Sequence, residues 1–190
     1  MGTLFIIGTP IGNLGDLSPR AAEALRSVDL LVAEDTRVTR KLLNHLDAHT
    51  PCISYHDHSP PAQLSKILDA LKTGDVGQVS DAGSPTLSDP GASLVAAASA
   101  KGHEVVAIPG PSAISGALSI AGMDGNHFLF LGFMPRRKAD RQAVLTSAAT
   151  ETGTVIAFET PRRAVAAIED IEIVLGERQI AVCREMTKMH

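Results

Sequence analysis

Tryptophan is absent from this 190-residue chain, tyrosine occurs once, and aromatic residues together make up 3%. That scarcity argues against a protein that grips nucleic acid chiefly by stacking bases on rings; Tyr55 and Phe133 alone are placed for it. Cysteine occurs twice, at Cys52 and Cys183, far apart and without ligand spacing. Neither a disulfide framework nor a zinc module is indicated, and two reduced thiols are expected. Positive charge is not in excess: 17 Lys and Arg face 21 Asp and Glu, for a formal net charge of -4. That argues against bulk coating of DNA, but not against local phosphate contacts. No apolar run approaches the roughly 18 residues of a membrane span. The opening MGTLFIIGTPIGNLG has no basic n-region and no small-residue cleavage site. The expectation is a cytoplasmic protein without signal peptide or membrane contact.

What is present is an ordinary globular composition, 44% hydrophobic and 20% charged, at a length that supports a sizeable core. Short apolar runs alternate with helical patterns. Strands are expected at residues 3–7, 30–33, 52–54, 77–80 and 105–108. Between them, helices open at Ser18-Pro19, at Thr36, at Ser59-Pro60 and at Pro90, and Gly102 closes the last of these. A further helix follows Pro109-Gly110-Pro111-Ser112. Strands separated by helices of this length predict an α/β fold with a mostly parallel sheet and helices on its faces.

After the turn-rich Met123-Asp124-Gly125-Asn126 the order restarts. A strand is expected at 128–131, a basic helix from Lys138, a strand at 154–158, a helix over 162–174 and a strand at 179–183. The expected division is an N-terminal α/β domain over 1–118 and a C-terminal α/β domain over 119–190. The first 118 residues hold 8 Lys and Arg against 12 Asp and Glu; the rest balance at 9 against 9. The chain stops at Glu185-Met186-Thr187-Lys188-Met189-His190, just past an expected strand, so the second domain is expected to be incomplete.

Three glycine-rich loops follow expected strands: Gly8-Thr9-Pro10-Ile11-Gly12-Asn13-Leu14-Gly15, Ser80-Asp81-Ala82-Gly83-Ser84-Pro85-Thr86-Leu87-Ser88-Asp89-Pro90-Gly91, and Pro109-Gly110-Pro111-Ser112-Ala113. In an open parallel sheet that edge is where ligands bind, and glycine lets backbone N–H groups come close to them. One such loop reads as a turn; three at one edge read as a pocket. The loops lack the dinucleotide and P-loop spacings and contain no lysine, which disfavours a triphosphate. A ligand of mixed polarity with few phosphates fits better.

Glu34-Asp35-Thr36-Arg37 ends a strand at the same edge. Two carboxylates beside an arginine either orient a substrate or pair structurally, with Asp35 or Thr36 capping the helix. Arg37 is the better substrate contact, because a guanidinium matches phosphate bidentately. His56-Asp57-His58 has the brevity of a metal motif but no third ligand, so no metal is expected; His56 is a candidate base. Arg136-Arg137-Lys138 with Arg141, and Arg162-Arg163, form two basic clusters beside strand ends. They are either solvated helix faces or phosphate contacts.

The set IIGTPIGNLGDLSPRA, AEDTR, SYHDHS, VSDAGSPTLSDPG, IPGPSA, FLGFMPRR and FETPRR, in order along the whole chain, resembles the ribosomal RNA small subunit methyltransferase I family of the tetrapyrrole-methylase superfamily. The resemblance implies two α/β domains of class III methyltransferase type with S-adenosylmethionine (SAM) bound between them. It implies 2′-O-methylation of a cytidine ribose in the decoding region of 16S ribosomal RNA, within the small subunit, by a homodimer. By that resemblance, backbone groups of Asp81, Ala82, Gly83, Ser84 and Leu87 line the methionine part of the cofactor. Ser112 and Ala113 approach it from the next loop. Pro10 and Ile11 close the floor between cofactor and substrate, and Phe158 and Glu159 lie near its adenine or ribose. Arg37, Asp35 and Glu34 are the catalytic candidates, and Arg136, Arg137, Lys138, Arg162 and Arg163 the RNA contacts. Two departures stand out. The family pattern continues past EMTKMH, and Ser59-Pro60-Pro61 replaces a polar pair after His58. Two other readings stay open: a methylase of a small tetrapyrrole-like molecule, and a non-catalytic RNA- or nucleotide-binding module.

Overall fold

A computed structural model describes every residue except Asp57, Met189 and His190. The chain forms two compact units, Met1–Ala113 together with Thr187 and Lys188, and Ile114–Met186.

The first unit runs β1 (Leu4–Ile7), α1 (Pro19–Ser27), β2 (Leu30–Ala33), α2 (Thr36–His45), β3 (Cys52–Ser54), α3 (Pro61–Ala70), β4 (Val76–Val79), α4 (Ala92–Ala100) and β5 (Val105–Ile108), before α5 (Ala113–Ile120). The strands pair in the order β3-β2-β4-β1-β5, all parallel. Every strand therefore ends at the same edge.

Period-2 alternation assigns each strand residue to a helix layer. Ile7, Leu31, Ala33 and Val79 pack with Ala21, Ala24 and Leu25 of α1 and Leu42 and Leu43 of α2. Leu4, Val32 and Val76 pack with Ile67 and Leu68 of α3 and Leu94 and Ala98 of α4. Right-handed crossovers produce this arrangement: α1 and α2 lead the chain one way across the sheet, and α3 and α4 lead it back on the other face.

The helix starts follow local chemistry. Ser18 caps α1 by accepting from the Ala21 N–H at 3.1 Å, with Pro19 in the first turn. Such a cap is worth about 1 kcal/mol. Asp35, not Thr36, caps α2, through the Arg37 N–H at 2.8 Å. Ser59 does not cap α3: Pro60 occupies that position, and the Ser59 hydroxyl instead accepts from the His56 N–H at 2.9 Å. Ser59 sits one residue too early to reach the helix. Lys101 ends α4, and Gly102 follows with φ +79°.

The second unit contains β6 (Phe128–Phe133), α6 (Lys138–Ser147), β7 (Thr154–Phe158) and α7 (Ala164–Leu175). β6 and β7 pair in parallel. The Asp170 carboxylate of α7, 1% exposed, pairs with the Arg141 guanidinium of α6, 5% exposed. The strand expected at 179–183 is not formed. A strand needs a ladder partner, and none is offered among the described residues. Arg178 is instead tied to the Ala149 and Glu151 carbonyls, and Ile180 and Val182 are exposed.

Candidate functional site

The loops after β1, β4 and β5 meet at the shared edge. Thr9 and Gly83 exchange both backbone hydrogen bonds, at 2.8 and 3.0 Å, as an isolated antiparallel bridge. The Gly8 N–H donates to the Ile108 carbonyl at 2.9 Å. Gly8 and Gly110 lie face to face: a β-carbon on Gly8 would sit 2.6 Å from the Gly110 nitrogen, and one on Gly110 would sit 2.7 Å from the Gly8 carbonyl carbon. Only glycine permits that approach. Ile11 and Pro111 border Gly83, so the first and third loops flank the second.

The second loop is conformationally demanding. Gly83, Thr86, Ser88 and Gly91 all have positive φ, at +83°, +71°, +61° and +121°. For β-branched Thr86 this costs about 1–3 kcal/mol, a form of strain that concentrates at binding and switch regions. Pro85 is buried, while Leu87 is 42% exposed. Burial pushes the Asp89 carboxyl up; the Ser80 hydroxyl opposes this and the Asp81 charge adds to it. Gln78 tethers the return end of the loop by donating from Nε2 to the Pro90 carbonyl at 3.2 Å. Its Oε1 is buried without a hydrogen-bond partner.

The loop after β2 joins this group. The Asp35 N–H donates to Asp81 Oδ1 at 3.1 Å. Arg37 donates from Nε and Nη2 to the Asp35 carboxylate, at 2.6 Å for the shortest contact, while its side chain stays 84% exposed. The Arg37 side-chain hydrogen bonds, and then its backbone N–H, hold the Asp35 carboxyl down at about 2 against a slight opposing effect of burial. A carboxylate of that pKa is a poor proton acceptor near neutral pH. Glu34, the preceding residue, is half-buried.

His56 and His58 lie with ring centroids 6.3 Å apart, and Asp57 lies outside the described residues. Among the described residues no group of three His, Cys, Asp or Glu side chains could hold a metal ion. Tyr55 is not available for stacking. It is 7% exposed in the core, and its hydroxyl lies 2.8 Å from that of Ser93.

In the second unit, Phe158 packs edge-on against Phe130 and Phe133, with centroids 4.9 and 5.3 Å away. Glu159 pairs with Arg163 at 2.6 Å, and its Oε2 is buried without a partner. Arg163 also donates to the Met134 carbonyl. Arg141 leaves the basic surface cluster altogether: it is buried against Asp170 and donates to the Pro135 and Arg136 carbonyls. The exposed cations of the cluster are thus Arg136, Arg137, Lys138 and Arg162. Arg137 lies 3.8 Å from Asp140, and Lys138 lies 3.9 Å from Asp170. A groove of about 530 Å³ lined by Leu131, Met134, Leu145, Val155 and Ile171 also opens in this unit, and none of the expected site residues lines it.

The bridging role of Thr9, the tether from Gln78 and the pairing of Arg141 with Asp170 were not expected from the sequence. Thr9 carried a usable signal in its place between Gly8 and Pro10 of a glycine-rich loop. Gln78 carried another, as a lone polar residue inside an apolar strand.

A model of the tetrapyrrole (corrin/porphyrin) methylases matches residues 3–190. Proteins named ribosomal RNA small subunit methyltransferase I are similar along the whole chain. The Synechocystis sp. protein is 47% identical over 100% of this chain and 69% of its own length. The Thermotoga maritima protein is 44% identical over 100% and 86%. The chain belongs to the ribosomal RNA small subunit methyltransferase I family, within the tetrapyrrole methylases. Solved structures share the fold at low identity. A diphthine synthase superposes with a TM-score of 0.70 at 14% identity, covering 90% of this chain and 71% of that one. A cobalt precorrin-4 methyltransferase superposes with a TM-score of 0.66 at 16% identity, covering 92% and 75%. No helix among the described residues is long and apolar enough to cross a membrane.

Proposed function

We propose that the chain is an S-adenosylmethionine-dependent methyltransferase that modifies the ribose 2′-oxygen of a cytidine in the decoding region of 16S ribosomal RNA. The observation that carries this reading is the glycine-paved meeting of three loops at one sheet edge, in a chain of the methyltransferase I family. The reading includes a cytoplasmic homodimer that acts on the small ribosomal subunit. It assigns the cofactor loops to an N-terminal domain over 1–118 and further contacts to a C-terminal domain over 119–190.

The residues at the edge suit this cofactor. Side chains are withdrawn where Gly8 and Gly110 meet, which favours recognition by backbone groups, and the loops hold no lysine for a polyphosphate. Backbone groups of Asp81, Ala82, Gly83, Ser84 and Leu87 would hold the methionine part, with Ser112 and Ala113 beside it. Pro10 and Ile11 would separate cofactor from substrate, and Phe158 and Glu159 would meet the adenosine. When bound, the cofactor supplies an electrophilic methyl group on a sulfonium. The chain's task is then alignment, which supplies about 7–11 kcal/mol of a barrier. The ribose hydroxyl also has to lose its proton. Glu34 is the candidate acceptor, and Arg37, held by Asp35, is the candidate partner of the developing alkoxide or a neighbouring phosphate. General-base help is worth about 10²–10⁴-fold.

Thermal unfolding with S-adenosylhomocysteine, against ATP as control, tests the cofactor. At 100 times its Kd the homocysteine should add about 2.7 kcal/mol of stability. Methyl transfer to unmodified small subunits, mapped to the ribose, tests the substrate. A shift with neither ligand removes the cofactor reading. A shift without transfer to RNA leaves the reading that the family's other name supports, methylation of a small tetrapyrrole-like molecule, which has no use for the exposed arginines.

A further inference from the structure

The turn after β6 exposes an aromatic ring and several cations together. β6 carries one residue more than β7 between the pairs Phe130↔Ile156 and Phe133↔Phe158, and Gly132 in the bulge has φ +68°. A bulge re-aims the side chains that follow it. Here Phe133 is 54% exposed at the end of its strand. Its position is nonetheless fixed: Phe158 meets it edge-on at 5.3 Å, and the Met134 N–H donates to the Phe158 carbonyl at 2.9 Å.

The turn behind the ring is braced from within by two arginines. Arg163, paired with Glu159, donates to the Met134 carbonyl at 3.3 Å. Arg141, paired with Asp170, donates to the Pro135 and Arg136 carbonyls at 3.2 and 3.3 Å. Their charges are neutralised locally. Exposed Arg136 and Arg137 follow the ring in sequence, and exposed Arg162 adjoins Arg163. An exposed, fixed ring at a turn that also carries exposed arginines suits single-stranded nucleic acid: a base stacks, and neighbouring phosphates meet cations.

We infer that Phe133 is the stacking platform for one unpaired base of the RNA substrate, with Arg136 and Arg162 taking its flanking phosphates. The Arg141–Asp170 and Arg163–Glu159 pairs are positioning residues for this platform. The inference rests on the RNA reading above and adds to it a requirement that the bound segment be single-stranded.

The chain has no tryptophan, so Phe133→Trp creates a single fluorescent reporter at the platform. The probes are a short unstructured oligoribonucleotide and the same strand in a duplex. Phe133→Leu should weaken oligoribonucleotide binding about 5- to 150-fold with the salt dependence unchanged. Duplex binding should not move. Phe133→Trp should restore affinity, and its emission should be quenched by the single strand but not by the duplex. Undiminished single-strand affinity in Phe133→Leu, or equal quenching of Phe133→Trp by single strand and duplex, overturns the platform and leaves the RNA reading standing. Failure of the parent chain to bind the single strand at all overturns both.

Discussion

The carboxylate of Asp35 holds the guanidinium of Arg37 at 2.6 Å and, with its other oxygen, caps the helix in which Arg37 lies by accepting from the Arg37 N–H at 2.8 Å. One charged group thus serves both a fold element and a candidate site residue. The Asp35 carboxyl stands at about 2 in the folded chain against an ordinary value of 3.8. A depressed carboxyl stabilises the fold above its unfolded pKa, and that contribution fades as pH falls through the folded value. Asp35→Asn keeps a capping oxygen and removes the charge. The variant should melt slightly below the parent at pH 6, and the two midpoints should converge as pH drops from about 4 to about 2. A gap that persists unchanged at acid pH would assign the deficit to lost capping geometry.

Gly91 should be intolerant of any side chain. A β-carbon there would lie 1.5 Å from Gln78 Nε2, on a backbone of φ +121°. Gly91→Ala should cost about 2–6 kcal/mol, from the backbone strain and the overlap together. Adding Gln78→Ala should recover the overlap part and leave the backbone part, as read by denaturant unfolding. Full recovery would show that the φ carries no cost.

Gly8→Ala should separate the loops after β1 and β5 and cost about 1–3 kcal/mol. It should also erase the thermal shift produced by S-adenosylhomocysteine. A variant that melts lower but keeps the full ligand-induced shift would place the cofactor elsewhere.

The buried pair Arg141–Asp170 should be strongly non-additive. Either single change, Arg141→Met or Asp170→Leu, strands a buried charge or its hydrogen-bond partners. The double substitution should melt above both single variants. A double variant that loses the sum of the two single losses would mean that the groups act independently.

Arg136→Gln and Arg162→Gln should each lower the salt slope of single-strand RNA binding by about 0.7, one phosphate contact apiece, while melting like the parent. Arg163→Gln should behave differently, because its guanidinium holds Glu159 and the Met134 carbonyl: it should lower the melting temperature. Equal behaviour of all three in both measurements would show that the division between exposed and bracing arginines is mistaken.

Much of the first unit was legible because each of its signals is local. The apolar run Leu30-Leu31-Val32-Ala33 and the Ser18-Pro19 start define their elements without knowledge of any partner. The glycine-rich loops announced themselves by composition, and their meeting follows from parallel strands that all end at one edge. What failed was non-local. Gln-Ile-Ala-Val-Cys at 179–183 has the composition of a strand, but a strand requires a neighbour. Tyr55 and Arg141 carry surface chemistry in their side chains, yet each is buried by a partner distant in sequence, Ser93 and Asp170. Hydropathy patterns do not encode such pairings. The division of labour between Arg162 and Arg163 was hidden for the same reason: it depends on Glu159 and the Met134 carbonyl.

The strand order β3-β2-β4-β1-β5 has a consequence for how the chain is made. β1 is synthesised before the other four strands of its sheet, yet its neighbours are β4 and β5, and Leu4 pairs with Val76 and Val105. At about 5–20 residues per second, the nascent segment Leu4-Phe5-Ile6-Ile7 waits several seconds for its partners. Leu4 and Ile7 are fully buried in the finished sheet, so during that interval their side chains have no native shelter. An interior strand of the sheet is therefore its oldest segment and among the last to be secured, and emergence of Val105–Ile108 sets the earliest moment at which β1 can be flanked on both sides.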